Sequence, residues 1–137
     1  MKIQGFSKLE RIVSQKLIDE LFTSGQSHSL TAFPLRAVYL FRESPCQSVA
    51  NIQLLISVPK RRFKHAVDRN RVKRQLREAF RLNKPLLSEA LPEGQRVALA
   101  FIWLSDQHLS TDRVAHSVVN LLQRIAQKLP PTPTHNP

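Results

Sequence analysis

Residues 57–81 read SVPKRRFKHAVDRNRVKRQLREAFR, and two signals overlap in that stretch. The first is periodicity. Advancing about 100° per residue from Val72 puts Leu76, Ala79 and Phe80 on one apolar stripe, with Arg69 at its border and Arg71, Lys73, Arg74, Arg77 and Arg81 around the rest. This spacing predicts a helix starting near Ala66 or Val67, with one side in a core and the other a cationic band. Pro59 ends a preceding strand, residues 60–65 form an irregular basic loop, and Pro85 stops the helix. The second signal is charge. Residues 60–81 hold ten cations against two acids, Asp68 and Glu78, a net +8 of the chain's +11.

Working outward, SQKLIDELFTSG (14–25) sets Leu17, Ile18, Leu21 and Phe22 at helical spacing, with Ser14 as the N-cap and Gly25 as the stop. Residues 32–41 are rich in strand formers and carry Pro34 near their start. The Ser44-Pro45 turn leads to a second strand at 50–58, and the two are expected to pair as an antiparallel hairpin. On the far side of the basic helix, a short stretch at 86–91 and Pro92-Glu93-Gly94 lead to VALAFIWL (97–104), a strand buried on both faces. Ser110 or Thr111 caps a last helix whose Val114, Val118, Leu122, Ile125 and Leu129 share a face. PPTPTHNP (130–137) cannot continue it and reads as a disordered tail. The order is α-β-β-α-β-α, an α+β fold of one domain over residues 1–129 with helices packed on one sheet.

At 137 residues and 42% hydrophobic composition, the chain suits one core without disulfides or metals. Cys46 is the single cysteine, which excludes an internal disulfide, and no His/Cys cluster has zinc-ligand spacing. The longest apolar run, 97–104, is far short of the ~20 residues that span a bilayer, and MKIQGFSKLE lacks the apolar centre of a signal peptide. No membrane association is expected, and a reducing cytoplasm is the expected setting.

A charge run is commonly a solvated face, but such faces intersperse their signs. Here Arg69, Lys73 and Arg77 stand at i, i+4 and i+8, where like charges cost about 0.2–0.5 kcal/mol per pair. Arg also outnumbers Lys in the segment, and a planar guanidinium forks onto phosphate oxygens. The pattern points to a polyanion partner. Chemistry points away from a protein nuclease. The ten acids (Glu10, Asp19, Glu20, Glu43, Asp68, Glu78, Glu89, Glu93, Asp106 and Asp112) are scattered, whereas a metal-dependent nuclease needs converging carboxylates. His65 and His108 are the candidates for metal-free acid–base work.

The string AVDRNRVKRQLREAFR (66–81), preceded by SVPKRRFKH (57–65), resembles the signature of the bacterial ribonuclease P protein family, and the likeness extends over roughly residues 8–127. The resemblance implies a protein subunit of a cytoplasmic ribonucleoprotein that removes the 5′ leader of precursor tRNA. The RNA subunit and its magnesium ions would perform the hydrolysis, the protein itself binding no cofactor and having no catalytic residue. Its partners would be the catalytic RNA and precursor tRNA, and it would be a monomer before RNA assembly. The RNA-binding residues are then Lys60, Arg61, Arg62, Lys64, Arg69, Asn70, Arg71, Lys73, Arg74, Arg77 and Arg81. A left-handed β-α-β crossover is implied by the resemblance alone, since right-handed crossovers are the general rule.

The resemblance also implies a cleft between the first helix and the sheet for the single-stranded leader. Phe22 falls at an aromatic platform position before Gly25. Ile18 stands where the family often has a second aromatic, so it can touch a base but not stack. On the strand the register leaves Arg36 and Tyr39 both open, and Ser57 is a further contact. A ribosomal-type RNA-binding protein fits the composition equally well, and only the signature string separates the two. A DNA-binding regulator reading the groove with residues 66–82 lacks a helix-turn-helix neighbour, because a strand precedes the basic segment.

Overall fold

The structure, a computed structural model, describes residues 15–23, 25, 27–43, 51–92 and 94–129. The Ser14 cap, the 44–45 turn, Glu93 and the 130–137 tail lie outside them. The elements run α1 (Gln15–Thr23), β1 (His28–Ala32), β2 (Leu35–Glu43), β3 (Ile52–Ser57), α2 (Ala66–Asn83), α3 (Pro85–Ser88), β4 (Gln95–Trp103) and α4 (Thr111–Gln127). The four strands form one mixed sheet in the order β1-β2-β4-β3. β4 pairs antiparallel with β2 and parallel with β3, so α2 and α3 make the crossover between β3 and β4.

This order corrects the hairpin expected between residues 32–41 and 50–58. The hairpin lies one strand earlier, between β1 and β2, turning at a cis Phe33-Pro34 bond, and β4 occupies the place beside β2. The reason is burial: VALAFIW is strongly apolar, and the central place in the sheet puts one of its faces under α2 and α4 and the other under α1. Pro34 sits in the turn, where its missing N–H costs no ladder bond, and its carbonyl accepts from the Leu104 N–H at 2.8 Å. Ser117 and Arg113 of α4 both donate to the Phe33 carbonyl, and Arg124 donates to that of Thr31. The otherwise puzzling buried Ser117 thus pins the turn to the last helix.

β4 alternates large and small. Val97, Leu99, Phe101 and Trp103 enter the main core with Leu35, Ala37 and Tyr39 of β2, Ile52 and Leu54 of β3, and the apolar stripes of α2 and α4. Val72, Leu76, Ala79 and Phe80 of α2 are buried, as their spacing requires, and so are Val114, Val118, Leu122 and Ile125 of α4. Leu129 packs against that core from just beyond α4. Ser110 is the α4 N-cap, its hydroxyl accepting from the Arg113 N–H at 3.1 Å. On the opposite face, Ala98 and Ala100 leave room for α1 to approach. There Leu21, wholly buried, packs with Val38, Leu40, Ala98 and Ala100, and Ile18, Leu55 and Ile102 border the cluster. One face is therefore fully covered by helices, while the other carries only α1.

Candidate nucleic-acid interface

Basic loop 60–65 is built around its one apolar residue. Phe63 is buried in the main core, and the Arg62 N–H closes a turn onto the Pro59 carbonyl at 3.0 Å. That anchoring turns Lys60, Arg61 and Lys64 outward, all three exposed. The first turn of α2 closes on the loop's last residue, with the Asp68 and Arg69 N–H groups donating to the His65 carbonyl. Arg69 reaches backward, and its guanidinium donates to the carbonyls of Phe63 and Lys64 at 2.9 and 3.0 Å. Its position beside the apolar stripe therefore serves to staple loop to helix.

Along α2, Asn70, Arg71, Arg74 and Arg77 are exposed and Lys73 is half-buried. Among the described residues, Lys60, Arg61, Lys64, Arg71, Lys73, Arg74 and Arg77 meet no carboxylate within salt-bridge distance. Two of the sequence candidates are partly neutralised. Arg62 pairs with Asp106 at 3.2 Å, and Arg81 forks onto the Glu78 carboxylate. The Arg81 hydrogen bond holds the Glu78 carboxyl below its ordinary range, and the same bond raises Arg81. What remains is a surface of cations, without carboxylate partners among the described residues, from the loop and the outer face of one helix, suited to a chain of phosphates.

The second surface is the α1 side of the sheet. Phe22, next to the buried Leu21, is 46% exposed. It borders a cavity of about 140 Å³ whose other walls include Leu21, Val38, Arg36, Ser27 and Ser29. Ile18 forms the partly buried apolar flank of the same helix. Ser57 and Arg36 share one β4 neighbour, Ile102, each being its Cα partner from one side. Two strand spacings therefore separate Arg36 from Ser57, about 10 Å, on one face of the sheet. Ser57 in turn leads through Val58 and Pro59 into Lys60. The row Arg36–Ile102–Ser57 joins the Phe22 cavity to the basic loop.

Tyr39 does not belong to this surface. Three residues after Arg36 in the same strand, it points to the other face, where it is 2% exposed and its ring meets those of His28 and Phe41 at 5.5 Å. Ser27 and Ser29, by contrast, line the cavity without having been singled out in the sequence. Their place depends on β1, a five-residue edge strand whose apolar alternation is limited to Leu30 and Ala32.

The side chains considered for acid–base work have other surroundings. His65 is an exposed helix N-cap. His108 stacks on Phe63 and contacts Asp68 at 3.0 Å. Among the described residues, no three His, Cys, Asp or Glu side chains gather in a way that could hold a metal ion, and no helix is long and apolar enough to cross a membrane.

Comparison with known proteins gives a consistent result. The family model for ribonuclease P matches residues 6–126. The ribonuclease P protein component of Porphyromonas gingivalis is 41% identical over 133 residues, covering 96% of this chain and 94% of that protein. The component from Nitrosococcus oceani is 34% identical over 87 residues, 64% of this chain and 67% of its own length. Among solved structures, the RNase P protein from Thermotoga maritima matches with a TM-score of 0.60 at 24% identity, covering 81% of this chain and 97% of that one. The Staphylococcus aureus RNase P protein matches with 0.62 at 20% identity, covering 86% and 95%. At such identities the two structures speak to the fold.

Proposed function

Given that the chain belongs to the ribonuclease P protein family, we propose that its loop and α2 cations bind the phosphates of the ribonuclease P RNA and that the α1 cleft receives the 5′ leader of precursor tRNA. As a member of that family it is the protein subunit of a ribonucleoprotein endoribonuclease that forms the tRNA 5′ end, with catalysis by the RNA subunit. The finer assignment is supported above all by the separation of charge. Seven cations without carboxylate partners among the described residues lie on the loop and the outer face of α2. A cavity with an exposed aromatic ring and a guanidinium opens on the α1 side.

The roles follow from chemistry. Arg71, Arg74 and Arg77 can each fork onto a phosphate, and Lys60, Lys64 and Lys73 act as point charges. Phe22 offers a ring on which an unpaired base can stack, and Arg36 a cation for its phosphate. In this reading the magnesium ions of the reaction belong to the RNA subunit. No step is routed through the protein. In this reading the protein is a monomer before it meets the RNA and works in the cytoplasm.

The test is cleavage of precursor tRNA by the ribonuclease P RNA at low magnesium, with and without the protein. The expected result is strong stimulation by the protein, reduced when Arg74 and Arg77 are both changed to Ala. Stimulation that is indifferent to the double change would contradict the role assigned to α2.

A further inference from the structure

The cationic loop and the cationic helix have every electrostatic reason to separate. Lys60, Arg61 and Lys64 lead directly into an α2 N-terminus that carries Arg69 and Arg71 and is itself the positive end of the helix dipole. The segment between β4 and α4, residues 104–110, holds them together. The imidazole of His108 lies flat on the Phe63 ring, centroids 4.5 Å apart and planes 16° from parallel. Its Nε2 is 3.0 Å from Oδ1 of Asp68 in the first turn of α2. A carboxylate only accepts, so Nε2 donates. Asp106 takes Arg62 at 3.2 Å, and Gln75 of α2 donates to the Leu109 carbonyl at 3.0 Å.

We propose that His108 and Asp68 are positioning residues for RNA binding: the imidazole, wedged between the Phe63 ring and the Asp68 carboxylate, locks the basic loop to α2 so that both sets of cations meet the RNA as one preformed surface. The inference rests on the RNA-binding reading of that surface. The physical gain is preorganisation, since an unlocked loop must be ordered at the moment of binding and its cations then contribute less.

The experiment is a double-mutant cycle on affinity for the ribonuclease P RNA, combining Lys64→Ala with His108→Ala, with thermal unfolding recorded for every variant. In the unaltered protein Lys64→Ala should weaken binding about fivefold, the scale of one phosphate contact. In the His108→Ala background the same change should weaken it less than about twofold, because the loop is already unmoored. Should His108→Ala fail to fold, His108→Phe keeps a ring against Phe63, removes the Asp68 contact and carries the same cycle. Asp68→Ala should lose affinity, whereas Asp68→Asn, which still accepts from the imidazole, should largely keep it.

Equal effects of Lys64→Ala in both backgrounds would overturn the positioning role, as would equal losses for Asp68→Ala and Asp68→Asn. If Lys64→Ala and Arg74→Ala leave affinity unchanged in the otherwise unaltered protein, the RNA-binding reading itself fails and takes the inference with it.

Discussion

Leu21 and Phe22 are adjacent in α1 and are used differently. Leu21 is wholly buried against Val38, Leu40, Ala98 and Ala100, so Leu21→Ala should cost about 2–5 kcal/mol of stability and loosen α1 from the sheet. Phe22 is nearly half exposed, so Phe22→Ala should lower the melting temperature far less. It should weaken binding of leader-bearing precursor tRNA by about 1–3 kcal/mol, the value of one base stacked on a ring, and leave mature tRNA unaffected. Binding constants for the two RNAs, read beside thermal unfolding, check this; equal losses for both would remove Phe22 from the leader site. Tyr39, the single tyrosine, reports on the other face. Burial raises its phenol above the ordinary 10.0, opposed by the charge of Arg124. The fold thus favours the neutral phenol, so this contribution is present below about pH 10 and lost as pH rises through the folded pKa. Phenolate absorbance should titrate above its position in the unfolded chain, and Tyr39→Phe should remove that part of the alkaline destabilisation.

At the scale of elements, α2 was the most legible part of the chain. A period of 3.6 in sixteen residues identifies both the buried stripe and the outward cations, and all four stripe residues are buried. What periodicity could not show is which cations are already engaged. Arg81 is held by Glu78 and Arg69 by two carbonyls. Arg77→Ala should therefore lower the salt slope of RNA binding by about one unit. Arg81→Ala should lower it by clearly less, and Glu78→Gln, which frees Arg81, should tighten binding. Salt titrations of the three variants check the ranking. The strands were less legible for a different reason. A period of two identifies faces, not neighbours, so nothing in residues 32–41 and 50–58 revealed that β4 would take the place between them. β1 is hard to read because its alternation is confined to two apolar positions, Leu30 and Ala32, in five residues, and the place of Ser27 and Ser29 at the cavity is hidden with it. Alternation did hold one usable fact about the cleft: positions 36 and 39 differ by an odd number and cannot share a face. Choosing between them needed the position of α1, a long-range packing result governed by the small side chains of Ala98 and Ala100.

At the scale of the whole molecule, the protein contributes surface and the RNA subunit the chemistry. Single Ala changes at Asp19, Glu20, His65, Asp68, Glu78 or His108 should leave holoenzyme turnover at saturating substrate within a few-fold, whereas loss of a general acid or base costs about 10²–10⁴. For Asp68 and His108 the change should fall on affinity and leave the saturated rate alone, a split that steady-state kinetics with the holoenzyme would read directly. The two surfaces meet through one row of the sheet, from the Phe22 cavity by way of Arg36, Ile102 and Ser57 to the basic loop. That continuity requires the parallel pairing of β3 with β4. The role proposed for the α2 cations, neutralising RNA phosphates, is tested most directly by the salt dependence of affinity for the ribonuclease P RNA. With Lys73, Arg74 and Arg77 all changed to Ala and the fold intact, the log–log slope should flatten by about two to three units, at roughly 0.7–0.9 per phosphate contact; an unchanged slope would contradict that role.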